Sequence, residues 1–188
     1  MNGRFRNKYF RKFANITQLM VFSNNMEYED GVVDPVFGAF YATPAYHDLR
    51  FNFFREDPDF PVRQALLPLV EEQENTILRD NNLMVIKHNP EFLTNKFENT
   101  PTNRILTSLF SRERLQFILK YAIAYVEDEN NGKRELQKHI MRYPQLFATK
   151  SIAAKLDAGE RKVIIWHTQG SGKTAMAYYN VRYLTDYF

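Results

Sequence analysis

The stretch from Lys162 to Thr174 constrains the fold most, because a short apolar run leads into a small polar loop and then into a helix-like segment. Val163–Trp166 is apolar and rich in β-branched residues, which predicts a buried strand. The loop carries Gly170 and Gly172 and ends in Lys173-Thr174. A strand, a glycine loop, Lys-Thr and a helix in this order predict an α/β fold with a phosphate-binding loop.

The chemistry of phosphate binding explains why these residue types are needed. Glycines let the backbone turn so that several N–H groups face phosphate oxygens, and the positive end of the following helix points to the same place. In this pattern Lys173 reaches the β- and γ-phosphates, and the Thr174 hydroxyl ligates Mg²⁺. The usual pattern G-x-x-x-x-G-K-[ST] begins here with His167, and an ordinary polar turn is the alternative interpretation.

Composition excludes several classes of protein. The 188 residues are 44% hydrophobic and contain no cysteine, which allows a packed core and excludes a disulfide scaffold or a thiolate metal site. The four histidines do not have the spacing of a zinc site. No apolar run approaches the ~18 residues of a membrane-spanning helix, and the basic N-terminus lacks an apolar signal core. We therefore expect a soluble, cytoplasmic protein without a membrane partner.

The charge is distributed unevenly along the chain. Residues 1–100 contain 11 basic and 14 acidic side chains, whereas residues 101–188 contain 14 basic and 8 acidic ones. A basic half that also carries a phosphate loop is compatible with binding to nucleic acid. Ordinary solvated surface is the alternative explanation.

Periodicity and turn residues predict a mixed order of strands and helices. The expected strands are 18–22, 36–43, 49–55 and the run before the loop. The expected helices are 62–80, 103–110, 112–126, 144–158 and 173–186, and the last of them is expected to bury Ala177, Val181 and Leu184. Residues 83–101 are expected to be a linker.

A second pointer lies one helix upstream of the loop, in Arg142-Tyr143-Pro144-Gln145. A glutamine amide offers one donor and one acceptor group side by side, which complements the amino group and ring nitrogen of adenine. A glutamine with an aromatic and a basic neighbour, ahead of a phosphate loop, is typical of helicase-type ATPases. The alternative is an exposed glutamine in the first turn of a helix.

The run Arg142-Tyr-Pro-Gln-Leu-Phe-Ala and the run Ile164-Ile-Trp-His-Thr-Gln-Gly-Ser-Gly-Lys-Thr together resemble the restriction (R, motor) subunit of type I restriction-modification enzymes. Gln18-Leu-Met-Val-Phe-Ser-Asn-Asn resembles the strand that follows the nuclease motif in this family. The resemblance implies an α/β chain with two parts. Residues 1–100 would be the C-terminal part of a restriction-nuclease-like domain and a linker. Residues 101–188 would begin the first RecA-like motor domain with its strand, P-loop and helix.

The resemblance also implies a function, namely ATP-dependent translocation and cleavage of double-stranded DNA. The subunit would work in a complex with methylation and specificity subunits, with ATP and Mg²⁺ as cofactors. Gln145 would read adenine, Lys173 would be the catalytic residue, Thr174 would ligate the metal, and Thr168 and Gln169 would shape the loop. The loop residues expected to hold the triphosphate are Gly170, Ser171, Gly172, Lys173 and Thr174.

The sequence departs from the family pattern at both ends. Residues 1–17 contain no Asp or Glu, although the family places its nuclease carboxylates before the matching strand, and no D-E-x-H box follows the loop. We therefore expect an internal or truncated fragment that has no nuclease activity and little or no ATPase activity. The alternatives are a fragment of another phosphate-loop ATPase or kinase, and a non-enzymatic DNA-binding or docking module.

Overall fold

The computed structural model describes residue 9 and residues 11–25, 38–44, 51–56, 59–67, 69–130 and 132–188. It confirms a mixed arrangement of helices and strands. The strands are β1 (Met20–Asn24), β2 (Gly38–Ala42), β3 (Asn52–Phe53), β4 (Ile123–Asn130) and β5 (Lys133–Ile140). The helices are α1 (Arg11–Ile16), α2 (Val62–Ala65), α3 (Glu71–Asp80), α4 (Pro90–Thr94), α5 (Pro101–Ser108), α6 (Arg112–Phe117), α7 (Tyr143–Asp157) and α8 (Lys173–Tyr187).

Two sheets form. The first has the strand order β1-β2-β3, and β2 pairs with β3 in antiparallel orientation, with Phe40 opposite Phe53. The predicted strand 36–43 is confirmed within its described part, whereas the strand predicted at 18–22 begins two residues later. The strand predicted at 49–55 is paired at Asn52–Phe53, and residues 49 and 50 lie outside the described part of the chain.

The second sheet is a long hairpin that the sequence reading missed. The predicted helix 112–126 is wrong beyond residue 122, because α6 continues through one π-helical turn, Ile118–Ala122, and then becomes β4. Strands β4 and β5 pair from Ile123 opposite Ile140 to Asn130 opposite Lys133. The sequence between the two strands is Asn-Gly, and Gly132 has φ +74°. This dipeptide is a strong hairpin signal, and it outweighs the helical spacing that continues to Val126.

The chain divides into two compact units, of which the second comprises Phe22–Ala39 and Arg55–Arg114. The helix predicted at 62–80 is interrupted between α2 and α3, where the sequence has a proline at position 68 that cannot donate a helical hydrogen bond. Residues 83–101, expected to be a linker, contain a 3₁₀ turn at Met84–Ile86 and helix α4. The predicted boundary at residue 100 remains a prediction.

The interior of the second unit combines apolar packing with a buried ion pair. Helix α2 packs against α5, and the side chains of Val62, Ile105 and Leu109 are buried. The guanidinium of Arg114 donates two hydrogen bonds to the Glu56 carboxylate, at 3.2 and 3.3 Å. The pairing compensates both charges for the loss of hydration.

The first unit comprises Met1–Val21, Phe40–Phe54 and Leu115–Phe188. Helices α7 and α8 pack against each other. Both were predicted, with bounds that differ from the observed ones by at most one residue. The Tyr41 hydroxyl donates to the carbonyl of Met141 at 2.6 Å, and Arg182 donates to the carbonyl of Ile123 at 2.9 Å. These bonds tie β2 and α8 to the ends of the hairpin strands within this unit.

Two expectations about the C-terminal part are wrong. Val163–Trp166 is not a buried strand: it pairs with no strand within the described residues, and Ile164 and Trp166 are each 92% exposed. A buried strand needs hydrogen-bonding neighbours, and no described strand supplies them. Helix α8 buries Met176 and Tyr179, whereas Ala177 and Val181 are exposed. The apolar run and the opposite face of α8 have no cover among the described residues.

Candidate phosphate-binding loop

The loop between the exposed run and α8 turns at two glycines. Gly170 has φ +75° and Gly172 has φ +80°, in the left-handed region that glycine enters without strain. The amide of Ser171 donates to the carbonyl of Thr168 at 3.3 Å, which closes a tight turn. The loop is therefore neither a continuation of α8 nor part of a hairpin.

The N-terminal end of α8 offers free amide groups. Gly172 is the N-cap residue, no side chain caps the helix, and the first helical hydrogen bond runs from the Met176 amide to the Gly172 carbonyl at 3.0 Å. Within the described residues, the amides of Lys173, Thr174 and Ala175 consequently have no recorded acceptor. Such amides, together with the helix dipole, favour an anion at this end of the helix.

Lys173 lies across the loop. Its ammonium group contacts the carbonyl oxygen of Thr168 at 3.2 Å and that of His167 at 3.5 Å. The side chain of Thr174 is exposed at the start of the helix, and that of Gln169 is exposed in the loop. The hydroxyl oxygen of Ser171 is buried and has no hydrogen-bond partner. The loop thus brings together a cation, free amides and an unsatisfied hydroxyl.

Gln145 is brought to the loop, although it lies 27 residues upstream of Gly172. Its side-chain oxygen accepts from the Arg142 amide at 2.9 Å, and its side-chain nitrogen donates to the Gly172 carbonyl at 2.9 Å. The side chain is only 4% exposed. It caps α7 and anchors the loop at once, and these two bonds leave one N–H and one lone pair of the amide unused.

Helices α7 and α8 run parallel, with both N-terminal ends at the loop. Three polar contacts along the pair show this direction. Gln145 contacts Gly172 at the N-terminal ends, and the Thr149 hydroxyl donates to the Asn180 side chain at 2.6 Å further along. At the C-terminal ends the Tyr187 hydroxyl donates to the Asp157 carboxylate, also at 2.6 Å. The positive ends of two helix dipoles therefore meet at one place.

Three residues that lie at or behind the loop were not among the predicted site residues. A side-chain nitrogen of Arg142 lies 3.4 Å from the Gly170 carbonyl. Thr149 and Asn180 join the two helices behind the loop. The position of Arg142, three residues before Gln145, was a usable signal. No sequence signal pointed to the Thr149–Asn180 pair, because the two residues are 31 positions apart and belong to no common motif.

Other kinds of site find no support in the described part of the chain. No cluster of three or more His, Asp or Glu side chains there could hold a metal ion. None of the helices in the same described ranges combines the length and the apolar character needed to cross a bilayer.

Comparison with known proteins gives two matches and one negative result. The family described as "Type III restriction enzyme, res subunit" matches residues 138–187, which comprise the end of β5, α7, the loop and α8. The putative type I restriction enzyme MjaVIIP endonuclease subunit of Methanocaldococcus jannaschii is 39% identical over 74 residues. That alignment covers 37% of this chain and 7% of the relative. No solved structure matches the chain.

The matched family segment contains every residue that the sequence assigned to the phosphate-binding site, from Gln145 to Thr174. The relative carries the type I restriction description that the motifs at Arg142 and Ile164 predicted. The predicted resemblance is confirmed: residues 138–187 are similar to a restriction-enzyme family, and the chain is similar over 74 residues to a putative type I restriction enzyme subunit.

Proposed function

We propose that this chain is part of the ATP-dependent, DNA-translocating and DNA-cleaving subunit of a type I restriction enzyme, and that residues 167–174 bind ATP with Mg²⁺. The observation that carries the proposal is the convergence of Lys173, Gln145 and the free amides of α8 at the ends of two parallel helices. The matched relative is named as an endonuclease subunit, and this chain spans 7% of its length.

The hydrogen-bond donors at the loop suit a nucleoside triphosphate. The amides at the start of α8 and the Lys173 ammonium supply positive charge for phosphate oxygens, and the Ser171 hydroxyl lacks a partner that a phosphate oxygen would provide. Gly172 also has no room for a side chain, since an added Cβ would lie 2.6 Å from the Gln145 side-chain nitrogen. A close approach of the backbone to Gln145 is therefore built into the loop.

Each residue has a distinct role in the proposed complex. Lys173 exchanges two neutral carbonyl partners for charged phosphate oxygens, which form stronger hydrogen bonds. Gln145 keeps its bonds to Arg142 and Gly172 and uses its remaining donor and acceptor groups for the edge of adenine. The Thr174 hydroxyl would hold Mg²⁺, which neutralises charge on the phosphates when bound.

We extend the proposal to the domain organisation of the whole chain. Residues 1–100 would end a nuclease-like domain and form its linker, and residues 101–188 would begin the first RecA-like motor domain. The partners of the complete protein would be double-stranded DNA and the methylation and specificity subunits. The 188 residues themselves would bind ATP, lack nuclease activity and show weak or no ATPase activity.

Calorimetric titration of the 188-residue protein with Mg·ATP and Mg·GTP tests this proposal. We expect saturable binding of Mg·ATP and weaker binding of Mg·GTP. Lys173→Ala should weaken Mg·ATP binding by about 10- to 100-fold, as expected when charge-assisted hydrogen bonds of ~1.5–3 kcal/mol are lost. Lys162→Ala is the matched control, since it removes the same charge from an exposed position outside the loop.

The alternatives predict different titrations. Equal affinity for the two nucleotides would favour another class of phosphate-loop ATPase or kinase, because adenine would then not be read. A lack of binding to either nucleotide would overturn the proposal and favour a non-enzymatic DNA-binding or docking module.

A further inference from the structure

We infer that Thr149 and Asn180 form a positioning pair, which fixes the register of α7 against α8 and so sets the affinity of the loop for its nucleotide. Neither side chain contacts the loop. The nucleotide part of this inference rests on the proposed function, whereas the structural part is measurable without any nucleotide.

The pair continues the line of contacts that starts at the loop. Thr149 lies one helical turn after Gln145, about 6 Å along α7, and Asn180 lies two turns after Gly172. Gln145 and Thr149 share one face of α7, and Asn180 lies on the side of α8 that Thr149 contacts. The Gln145–Gly172 and Thr149–Asn180 bonds are therefore successive rungs between the same two helices.

Apolar packing alone does not fix how far the two helices slide along each other. The described faces bury mainly apolar side chains, among them Leu146, Ile152 and Met176. Burial of apolar surface is non-directional, whereas a hydrogen bond requires a narrow range of distance and angle. Thr149 is fully buried and its hydroxyl oxygen lies 2.6 Å from the Asn180 oxygen. A shift of the helices that lengthens this O···O distance by about 1 Å would break the bond.

The register matters because the contact at the loop is also a hydrogen bond between the same two helices. The Gln145 side chain reaches the Gly172 carbonyl at 2.9 Å, and there is no space for it to approach further, as the blocked Cβ position of Gly172 shows. Without the Thr149–Asn180 rung, the Gln145–Gly172 bond and the 3.4 Å contact between Arg142 and the Gly170 carbonyl would be the polar contacts left near the N-terminal ends of both helices. The donors for base and phosphate would then be held less closely in their binding geometry.

The experiment compares three hydroxyl variants of the full chain. Thr149→Val removes the buried hydroxyl at nearly constant volume, Thr149→Ser retains it, and Tyr187→Phe removes the hydroxyl of the rung farthest from the loop. Asn180→Ala removes the acceptor from a half-buried position and serves if Thr149→Val does not fold. The first measurement is the exchange of the Gln145 side-chain amide protons by NMR, without nucleotide. The second is the affinity for Mg·ATP.

We expect faster exchange of the Gln145 amide and about fivefold weaker Mg·ATP binding in Thr149→Val and Asn180→Ala, as for the loss of one hydrogen bond. Thr149→Ser should restore both values, and Tyr187→Phe should change neither. Unchanged Gln145 exchange in Thr149→Val and Asn180→Ala would overturn the inference, whether or not the protein binds ATP. If Gln145 exchange is faster in these two variants as expected, but the parent chain does not bind ATP, the proposed function is refuted and the positioning role of the pair stands.

Discussion

Replacing Gly172 with alanine perturbs the contact between the loop and Gln145 most directly. An added Cβ would lie 2.6 Å from the Gln145 side-chain nitrogen and 2.9 Å from a guanidinium nitrogen of Arg142. The φ of +80° adds backbone strain of about 1 kcal/mol for a residue with a side chain. Gln145 must also move away from the Gly172 carbonyl, and loss of this mostly buried hydrogen bond costs about 1–3 kcal/mol. The total destabilisation should be about 2–4 kcal/mol.

Gly159 provides a matched control at the C-terminal end of α7. It has φ +84°, and nothing lies within 4 Å of its added Cβ. Gly159→Ala should therefore cost only the backbone strain, about 1 kcal/mol. The difference between the two variants isolates the crowding at Gln145. In a Gln145→Ala background, Gly172→Ala should cost no more than Gly159→Ala does.

Urea unfolding followed by circular dichroism measures these free energies. We expect Gly172→Ala to be less stable than Gly159→Ala by about 1–3 kcal/mol. Equal stability of the two variants would show that Gln145 does not pack against the loop, and the anchoring contact would be refuted.

Three further predictions concern the scaffold. Glu56→Ala should destabilise the protein by about 3–5 kcal/mol in urea unfolding, because it leaves the Arg114 charge buried. Glu98→Ala, which breaks the exposed ion pair with Arg63, should cost under about 1 kcal/mol. Similar costs for the two variants would contradict the burial of the Arg114–Glu56 pair. Burial raises the pKa of Tyr179 to about 12, so its contribution to stability is complete below about pH 10 and is lost as pH rises towards about pH 12. The parent should therefore lose stability relative to Tyr179→Phe over this range, and a constant difference between the two would count against the shift. In the hairpin turn, where Gly132 has φ +74°, Gly132→Val should lower the unfolding free energy by about 1–2 kcal/mol and Gly132→Asn by less, since asparagine tolerates this region; the reverse order would argue against the turn.

Local sequence signals predicted the helices on either side of the loop better than the pairing of the strands. Pro144 in the first turn of α7 and Gly159 after its end are strong boundary signals, and the helix was predicted to within one residue at each end. The loop was likewise recognisable because its chemistry requires glycines next to Lys173-Thr174. The position of Gln145 at the loop followed from the motif spacing, but its capping bond to the Arg142 amide did not.

The errors arise where long-range pairing decides the structure. Leu115 to Val126 has helical spacing, yet residues from Ile123 onward pair with β5, and their β-branched and aromatic side chains suit a strand. Val163–Trp166 has the composition of a buried strand, but that state depends on neighbouring strands that the local sequence does not specify. The exposure of Val181 has the same cause, since a helix face is buried only where another element covers it.

The central claim is that the amides at the start of α8 hold a triphosphate. The most direct test is the amide spectrum of the 15N-labelled protein as Mg·ATP is added. The amide protons of Gly170, Gly172, Lys173 and Thr174 should shift together and saturably, since they would acquire charged acceptors, while those of the hairpin turn at Gly132 stay in place. Saturable shifts confined to other parts of the chain, or no shifts at all, would contradict the claim.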